Sequence, residues 1–271
     1  MEIPFSKWYE VIPKRRSRRN YSHHPIEPAT LENIKHVCEN FQPYPCVRAV
    51  LITESPEQVF KGAIGPYGKV KGAHDFVAFI GDTTDHCVNE KLGYLGEGIV
   101  LEATALNLAT CWVGGFFRPD TVSKLVNTKK NERVYAITPV GYAETKQSLE
   151  ERAMTGFGLT HRRKPLSKLV TGLPEIDWPV WIRNAMEASR LAPSALNRQP
   201  WRFIIEKDSI TVSIDHQSRE FNISKRLDCG ITMIHIEVAA MASEHSGKWE
   251  FLESPNVAQF TVCKSRASQT H

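Results

Sequence analysis

The stretch Ala192-Pro193-Ser194-Ala195-Leu196-Asn197-Arg198-Gln199-Pro200-Trp201-Arg202-Phe203 governs the reading of this chain. Its small residues let backbone come close to a flat ligand, and its two prolines stiffen the link. Asn197 and Gln199 carry amides that donate and accept at once, as the edge of a uracil-like ring requires. Residues 181–191 carry apolar side chains at helical spacing, whereas residues 201–206 and 210–214 are β-branched and aromatic. The stretch therefore joins a helix end to a strand start. An ordinary helix-to-strand loop is the plain alternative.

A second segment stands far upstream: Arg15-Arg16-Ser17-Arg18-Arg19-Asn20-Tyr21. Counted from Lys14, five cations fall within six residues and repel one another unless something anionic sits among them. The planar fork of Arg and the hydroxyl of Ser17 suit phosphate oxygens, with a solvated charge run as the alternative. In Thr110-Cys111-Trp112-Val113-Gly114-Gly115-Phe116, a glycine pair after an apolar helix lets backbone N–H groups reach a ligand. Two further segments, His161-Arg162-Arg163-Lys164-Pro165 and Gly65-Pro66-Tyr67-Gly68-Lys69, offer cations on stiff or tight links; solvated basic stretches are the competing reading.

Between these segments the pattern is α+β. Helices are expected over residues 6–11, 28–40, 94–108, 181–191 and 231–241, and strands over 46–53, 75–81, 134–142 (interrupted near Pro139), 201–206, 210–214 and 258–263. Residues 150–168 read as a polar crossing segment and 264–271 as a disordered tail. The halves echo each other: each has a helix leading through a Pro-containing stretch into a strand, then a helix with Glu-x-x-Ala followed by a tryptophan. These are Glu102, Ala105 and Trp112, then Glu237, Ala240 and Trp249.

Composition excludes several classes. A formal charge of +4 over 271 residues is modest, and its clustering suits local anion binding better than a nucleic-acid surface. No pair of the six cysteines is spaced Cys-x-x-Cys, and no apolar run approaches the roughly 20 residues needed to span a bilayer. Residues 1–10 lack the pattern of a secretory leader, so a cytoplasmic protein with reduced thiols is expected. No Gly-x-Ser-x-Gly, P-loop or Gly-x-Gly-x-x-Gly occurs, and no histidine grouping has metal-ligand spacing.

The quoted segments resemble signatures of the FMN-dependent nitroreductase family. That resemblance implies an α+β nitroreductase-like fold with a mixed, largely antiparallel sheet flanked by helices. In the family the Arg-x-Ser segment grips the FMN phosphate, and the Pro-Ser-x-x-Asn loop contacts the flavin from the partner subunit of a homodimer. Carried over, Arg15, Ser17 and Arg163 would hold the phosphate, with Arg16 beside them, Arg19 near the pyrimidine edge and Lys69 near N1/O2. Val113, Gly114 and Gly115 would place a backbone donor near N5, and Pro193, Ser194, Ala195, Asn197 and Gln199 would form the opposing wall. The implied activity is ping-pong reduction of nitroaromatics, quinones or similar electron-poor acceptors by NADH or NADPH. A flavin-binding sensor or storage protein is the alternative.

Departures from the family pattern are equally telling. The first half reads Phe41-Gln42-Pro43-Tyr44-Pro45-Cys46 where a second Pro-Ser-x-x-Asn would stand. The second half has no Arg-x-Ser, and His245-Ser246-Gly247-Lys248-Trp249 occupies the expected place of its Gly-Gly. One site is complete and its twin has lost both parts. The expectation is a fused pseudo-dimer resembling the thermophile branch in which one chain carries both halves, residues 1–170 and 171–271 packing as one unit. It would hold one FMN per chain and be sufficient as a monomer, with a weak homodimer allowed.

Overall fold

The computed structural model describes residues 1–53, 59–60, 70–115, 117–144, 162–216 and 223–263. The first half contains α1 (Phe5–Val11), α2 (Pro28–Asn40), β1 (Val47–Ile52), β2 (Asp75–Asp82), α3 (Val88–Ala105), β3 (Ala109–Thr110), α4 (Pro119–Leu125) and β4 (Glu132–Gly141). The second contains β5 (Val170–Gly172), α5 (Val180–Arg190), β6 (Trp201–Ile205), β7 (Ser209–Ile214), α6 (Lys225–Ala242), β8 (Gly247–Phe251) and β9 (Asn256–Val262). The expected Gly65–Lys69 turn and His161, with the 264–271 tail, lie outside the described residues.

Two sheets form, ordered β1-β2-β4-β3 and β5-β6-β7-β9-β8. Without its edge strand β5, the second sheet repeats the order of the first. Among the described residues, the pairings between these strands are antiparallel except that of β5 with β6. Strand β5 carries the chain across to the edge of the second sheet. Phe76 to Ile80 of β2 are fully buried because cluster residues cover both faces of the first sheet. That two-sided burial explains an uninterrupted apolar strand in place of the usual alternation.

Helices α3 and α6 pack on each other between the sheets, and one continuous core runs through both halves. Their crossing is close at two glycines. A side chain on Gly93 would collide with the Leu227 carbonyl, and one on Gly230 with that of Glu90. The interval from Gly93 to Gly230 and from Glu90 to Leu227 is the same, 137 residues, and it also carries the ends of α3, Val88 and Ala105, onto Lys225 and Ala242 of α6. Reciprocal contact of this kind, i with j and j with i, is the signature of a two-fold interface.

Several expectations are corrected. Strand β4 runs through Pro139, which pairs with Phe76; the only irregularity against β2 falls at Phe79/Ile80. Ile137 exchanges both backbone hydrogen bonds with Val113. By strand alternation the missing N–H of Pro139 faces that same side, where the partner strand is interrupted, so no ladder bond is lost. Helix α6 begins six residues before the expected Ile231. Its opening residues Lys225, Arg226 and Asp228 mask the apolar period, but Ser224 caps Arg226 N at 3.2 Å and the three charged side chains are held by Asp215, Glu90 and Arg198. Helix α4 and strands β3, β5 and β8 were not expected; each is short, and Trp249 lies within β8 instead of a turn, while α3 begins six residues before the expected Tyr94 and ends three before Leu108. The Glu-x-x-Ala echo is out of register by two residues, because the 137-residue interval that maps Trp112 onto Trp249 carries Glu102 onto Ala239.

Candidate functional site

The loop at residues 193–199 is held in a costly backbone shape. Leu196, Asn197 and Gln199 have φ of 53°, 54° and 47°, a left-handed region that non-glycine residues enter at about 1–3 kcal/mol each. Buried Asp228 of α6 secures the loop, accepting Ala195 N at 3.0 Å and Arg198 Nε at 2.7 Å. Burial pushes the Asp228 carboxyl up to about 6, against the pull of Arg198 and the Ala195 N–H. Ser194 Oγ accepts Gln199 N at 2.9 Å, and Pro193 and Pro200 are buried at the ends.

The segment before β5 docks onto this loop. Arg163 Nη1 donates to Asn197 Oδ1 at 2.5 Å and Nη2 to the Leu191 carbonyl at 3.0 Å. Gln199 Oε1 accepts Lys164 N at 2.8 Å, while the Asn197 and Gln199 amides each donate to the Arg162 carbonyl at 3.0 Å. Asn197 thus holds Arg163, a role that its residue type alone did not announce.

Arg163 stands among like charges. Burial lowers it to about 10, and Arg15, Arg16 and Arg190 push in the same direction. Arg15 is only 6% exposed and is also lowered, chiefly by burial. Its Nε has no hydrogen-bond acceptor among the described residues and lies 3.7 Å from Glu97 Oε1. Its Nη1 reaches Ser17 Oγ at 3.5 Å. Ser17 pairs with Thr110 along the edge of β3, and Arg19 O accepts Lys71 N at 2.9 Å. Arg16 is exposed at the rim. Guanidiniums near enough to feel one another, one buried with an unanswered N–H among the described residues, are the donor chemistry an anion site requires, and a phosphate monoester would fit it.

The glycine turn belongs to the same region. Val113 pairs with Ile137 at the start of the turn, and Gly114 and Gly115 face the Ile223 side chain. The Ile223 carbonyl in turn accepts Arg198 Nη2 at 2.8 Å. Ile223 therefore links the glycine turn of the first half to the proline loop of the second. Lys69 lies outside the described residues.

Sequence reasoning missed Glu97, His235, Asp228, Arg198 and Lys164. Glu97 is fully buried; its Oε2 accepts Trp112 Nε1 at 2.7 Å and its Oε1 lies 3.1 Å from His235 Nε2. A carboxylate within the otherwise uncharged run 92–101 of α3 was the available signal.

The opposite side of the crossing is filled. The 137-residue interval carries Gly114 and Gly115 onto Phe251 and Leu252. The Phe251 ring lies 5.4 Å from that of Tyr44, in the first-half stretch 41–46, and Tyr44 lies 5.5 Å from Tyr94. Lys91 sits 5.0 Å over Phe251. The glycine turn's equivalent, which His245–Trp249 was expected to supply, is thus an aromatic plug.

Comparison with known proteins gives the family and the fold. The family model described as "Putative TM nitroreductase" matches residues 7–240. The chain belongs to this nitroreductase family. A "putative nitroreductase" of known structure from Thermotoga maritima MSB8 superposes with a TM-score of 0.64 at 19% identity, covering 94% of this chain and 93% of that one. The fold is accordingly nitroreductase-like α+β. A nitroreductase with bound FMN from Bacteroides fragilis NCTC 9343 covers 52% of this chain and 91% of its own, with a TM-score of 0.43 and 19% identity. "Putative NAD(P)H nitroreductase acg" of Mycobacterium tuberculosis is 33% identical over 84 residues, 28% of this chain; the match spans only 24% of that protein's length. No described helix is long and apolar enough to cross a membrane.

Proposed function

We propose that this chain is an oxidoreductase that binds one FMN and reduces an electron-poor small molecule, such as a nitroaromatic or quinone, at the expense of NADH or NADPH. The observation carrying this reading is Arg163, docked on a strained loop from the other half of the chain and close enough to Arg15 and Arg16 to feel their charge. Arg15, Arg16, Ser17 and Arg163 would hold the FMN phosphate, and Arg19 and Lys69 the ring edge. The backbone of Val113, Gly114 and Gly115 and the loop of Pro193, Ser194, Ala195, Asn197 and Gln199 would form the two walls. FMN, when bound, supplies hydride acceptance and return. The chain's part is to anchor the phosphate, orient the ring between two rigid walls and exclude water from them. No general acid or base is assigned to the chain, and protons would come from solvent. Alternating use of one opening by reductant and acceptor gives ping-pong kinetics.

The repeated sheet order, the reciprocal glycine crossing and the aromatic plug support a fused pseudo-dimer of residues 1–170 and 171–271 with one site. Both walls belong to one chain, so a monomer suffices, their effective concentration being set by the connecting segment. Purified or reconstituted protein should release FMN on denaturation at one per chain, by absorbance. It should retain FMN as a monomer in light scattering across a dilution series. Release of FAD, two flavins per chain, or flavin loss in step with oligomer dissociation would refute the reading.

A further inference from the structure

Glu97 and His235 meet at the heart of the molecule, one from each central helix, and both are fully buried. His235 Nδ1 lies 2.9 Å from the Ala188 carbonyl, an oxygen that only accepts, so Nδ1 carries a hydrogen. His235 Nε2 lies 3.1 Å from Glu97 Oε1. A neutral ring protonated on Nδ1 would present a lone pair there to a carboxylate. The contact therefore requires one further proton, on the ring or on the carboxyl. With it, the pair as a whole is neutral.

The consequence falls on Arg15, whose Nε faces the same Glu97 oxygen at 3.7 Å without a hydrogen bond. A neutral pair leaves the buried guanidinium charge uncompensated and available to an anion. Once the proton is lost, the pair carries one negative charge and answers Arg15 internally. An incoming phosphate dianion thus favours the protonated pair, and the protonated pair favours the phosphate.

A second observation singles out these positions. Shifted by the 137-residue interval of the helix crossing, Glu97 and His235 become Ile234 and Gly98, which touch through the Ile234 side chain. The polar pair stands only on the side with the arginines; its equivalent on the plugged side is apolar.

Among the described residues, other charged groups near the pair have partners of their own. Arg163 feels Glu97 as well as Arg15, Arg16 and Arg190, and Cys111 lies beside Arg15. On α3, Glu102 is taken by Lys7 and Trp8. On α6, Glu237 is taken by Tyr94 and Trp249.

We propose that Glu97 and His235 are positioning residues for the phosphate-binding guanidinium of Arg15, a one-proton pair whose protonation governs how firmly an anionic phosphate is held. The proposal rests on the FMN reading above. Its test is FMN binding to the full chain, followed by flavin fluorescence from pH 7 to pH 9, above the second phosphate pKa of about 6. The dissociation constant of the wild-type protein should be about fivefold higher once the pair has lost its proton, the scale of a typical coupling between sites. Calorimetry at pH 8 in two buffers of different ionisation heat should show net proton uptake on binding, a readout that needs no variant. His235→Gln keeps a donor towards Glu97 but cannot carry the proton; it should bind FMN more weakly at pH 7 and with a flat pH profile. No proton uptake by the wild type, or an identical slope in the variant, overturns the proposal while leaving FMN binding intact. Absence of FMN binding at every pH overturns the functional reading, and the proposal with it.

Discussion

Replacing Gly230 by Ala asks whether the two halves are held by backbone contact between their central helices. The new Cβ would sit 2.7 Å from the Glu90 carbonyl carbon and 2.8 Å from its Cα, with the carbonyl oxygen nearer still. Ordinary contact begins near 3.4 Å, so α3 and α6 must part by at least about 0.7 Å. A gap of that size forfeits a quarter to a half of the attraction between facing atoms. Overpacking against rigid backbone costs about 3 kcal/mol, the upper end for an inserted methylene. Alanine's better helix propensity returns about 1 kcal/mol. The net expectation is destabilisation by about 2 kcal/mol, seen as a fall of roughly 4–8 °C in Tm. Thermal unfolding by circular dichroism and flavin retention should be measured together, since parting the helices also moves Glu97, one turn from Gly93. A variant as stable as the wild type, or more so, would refute the close-crossing argument, because propensity alone would then have decided the outcome.

Other expectations follow from single contacts. Arg163→Ala should weaken FMN binding by about 1.5–3 kcal/mol, the scale of a hydrogen bond to a charged group, and Asn197→Ala by less because it frees Arg163 without removing it. Unchanged affinity in a fluorescence titration of both variants would remove them from the site. Arg48 holds the Glu132 carboxyl down to about 2, through contacts at 2.8 and 2.9 Å. A depressed carboxylate contributes stability above its unfolded pKa near 4.5 and loses it as pH falls towards 2. Glu132→Gln should therefore remove about 1–2 kcal/mol at pH 7 and little at pH 2, the full shift being discounted because Arg48 is 28% exposed; equal losses at both pH values in denaturant titrations would contradict this. Burial pushes the Cys38 thiol up to about 12, whereas Cys263 is exposed. A thiol reagent applied to native protein should modify Cys263 and reach Cys38 only on unfolding, as peptide mass mapping would reveal; comparable rates at both would count against the packing described.

Two kinds of information were legible along the chain, and they were local. Helix α2 and strands β1, β2 and β6 fall within one or two residues of expectation because each carries its own period or an apolar run between breakers. The proline loop and the arginine segment could be picked out because each concentrates unusual residue types in a short span. What the linear order withheld depends on contacts made from far away. The start of α6 was hidden because Lys225, Arg226 and Asp228 look like surface residues until Asp215, Glu90 and Arg198 meet them. Glu97 reads as an intruder in the apolar middle of α3 until His235, 138 residues on, supplies its partner. Phe251 is an ordinary strand residue until Tyr44 closes on it. By itself the sequence determined most of the longer elements and the family, and marked the segments in which to look for a site, since those rest on neighbours in the chain. Tertiary structure alone decided which helix faces meet, which of two equivalent regions is filled by aromatic rings, and which buried N–H lacks an acceptor among the described residues. Burial removes water from groups that are distant in sequence, and only their three-dimensional partners determine whether that loss is compensated.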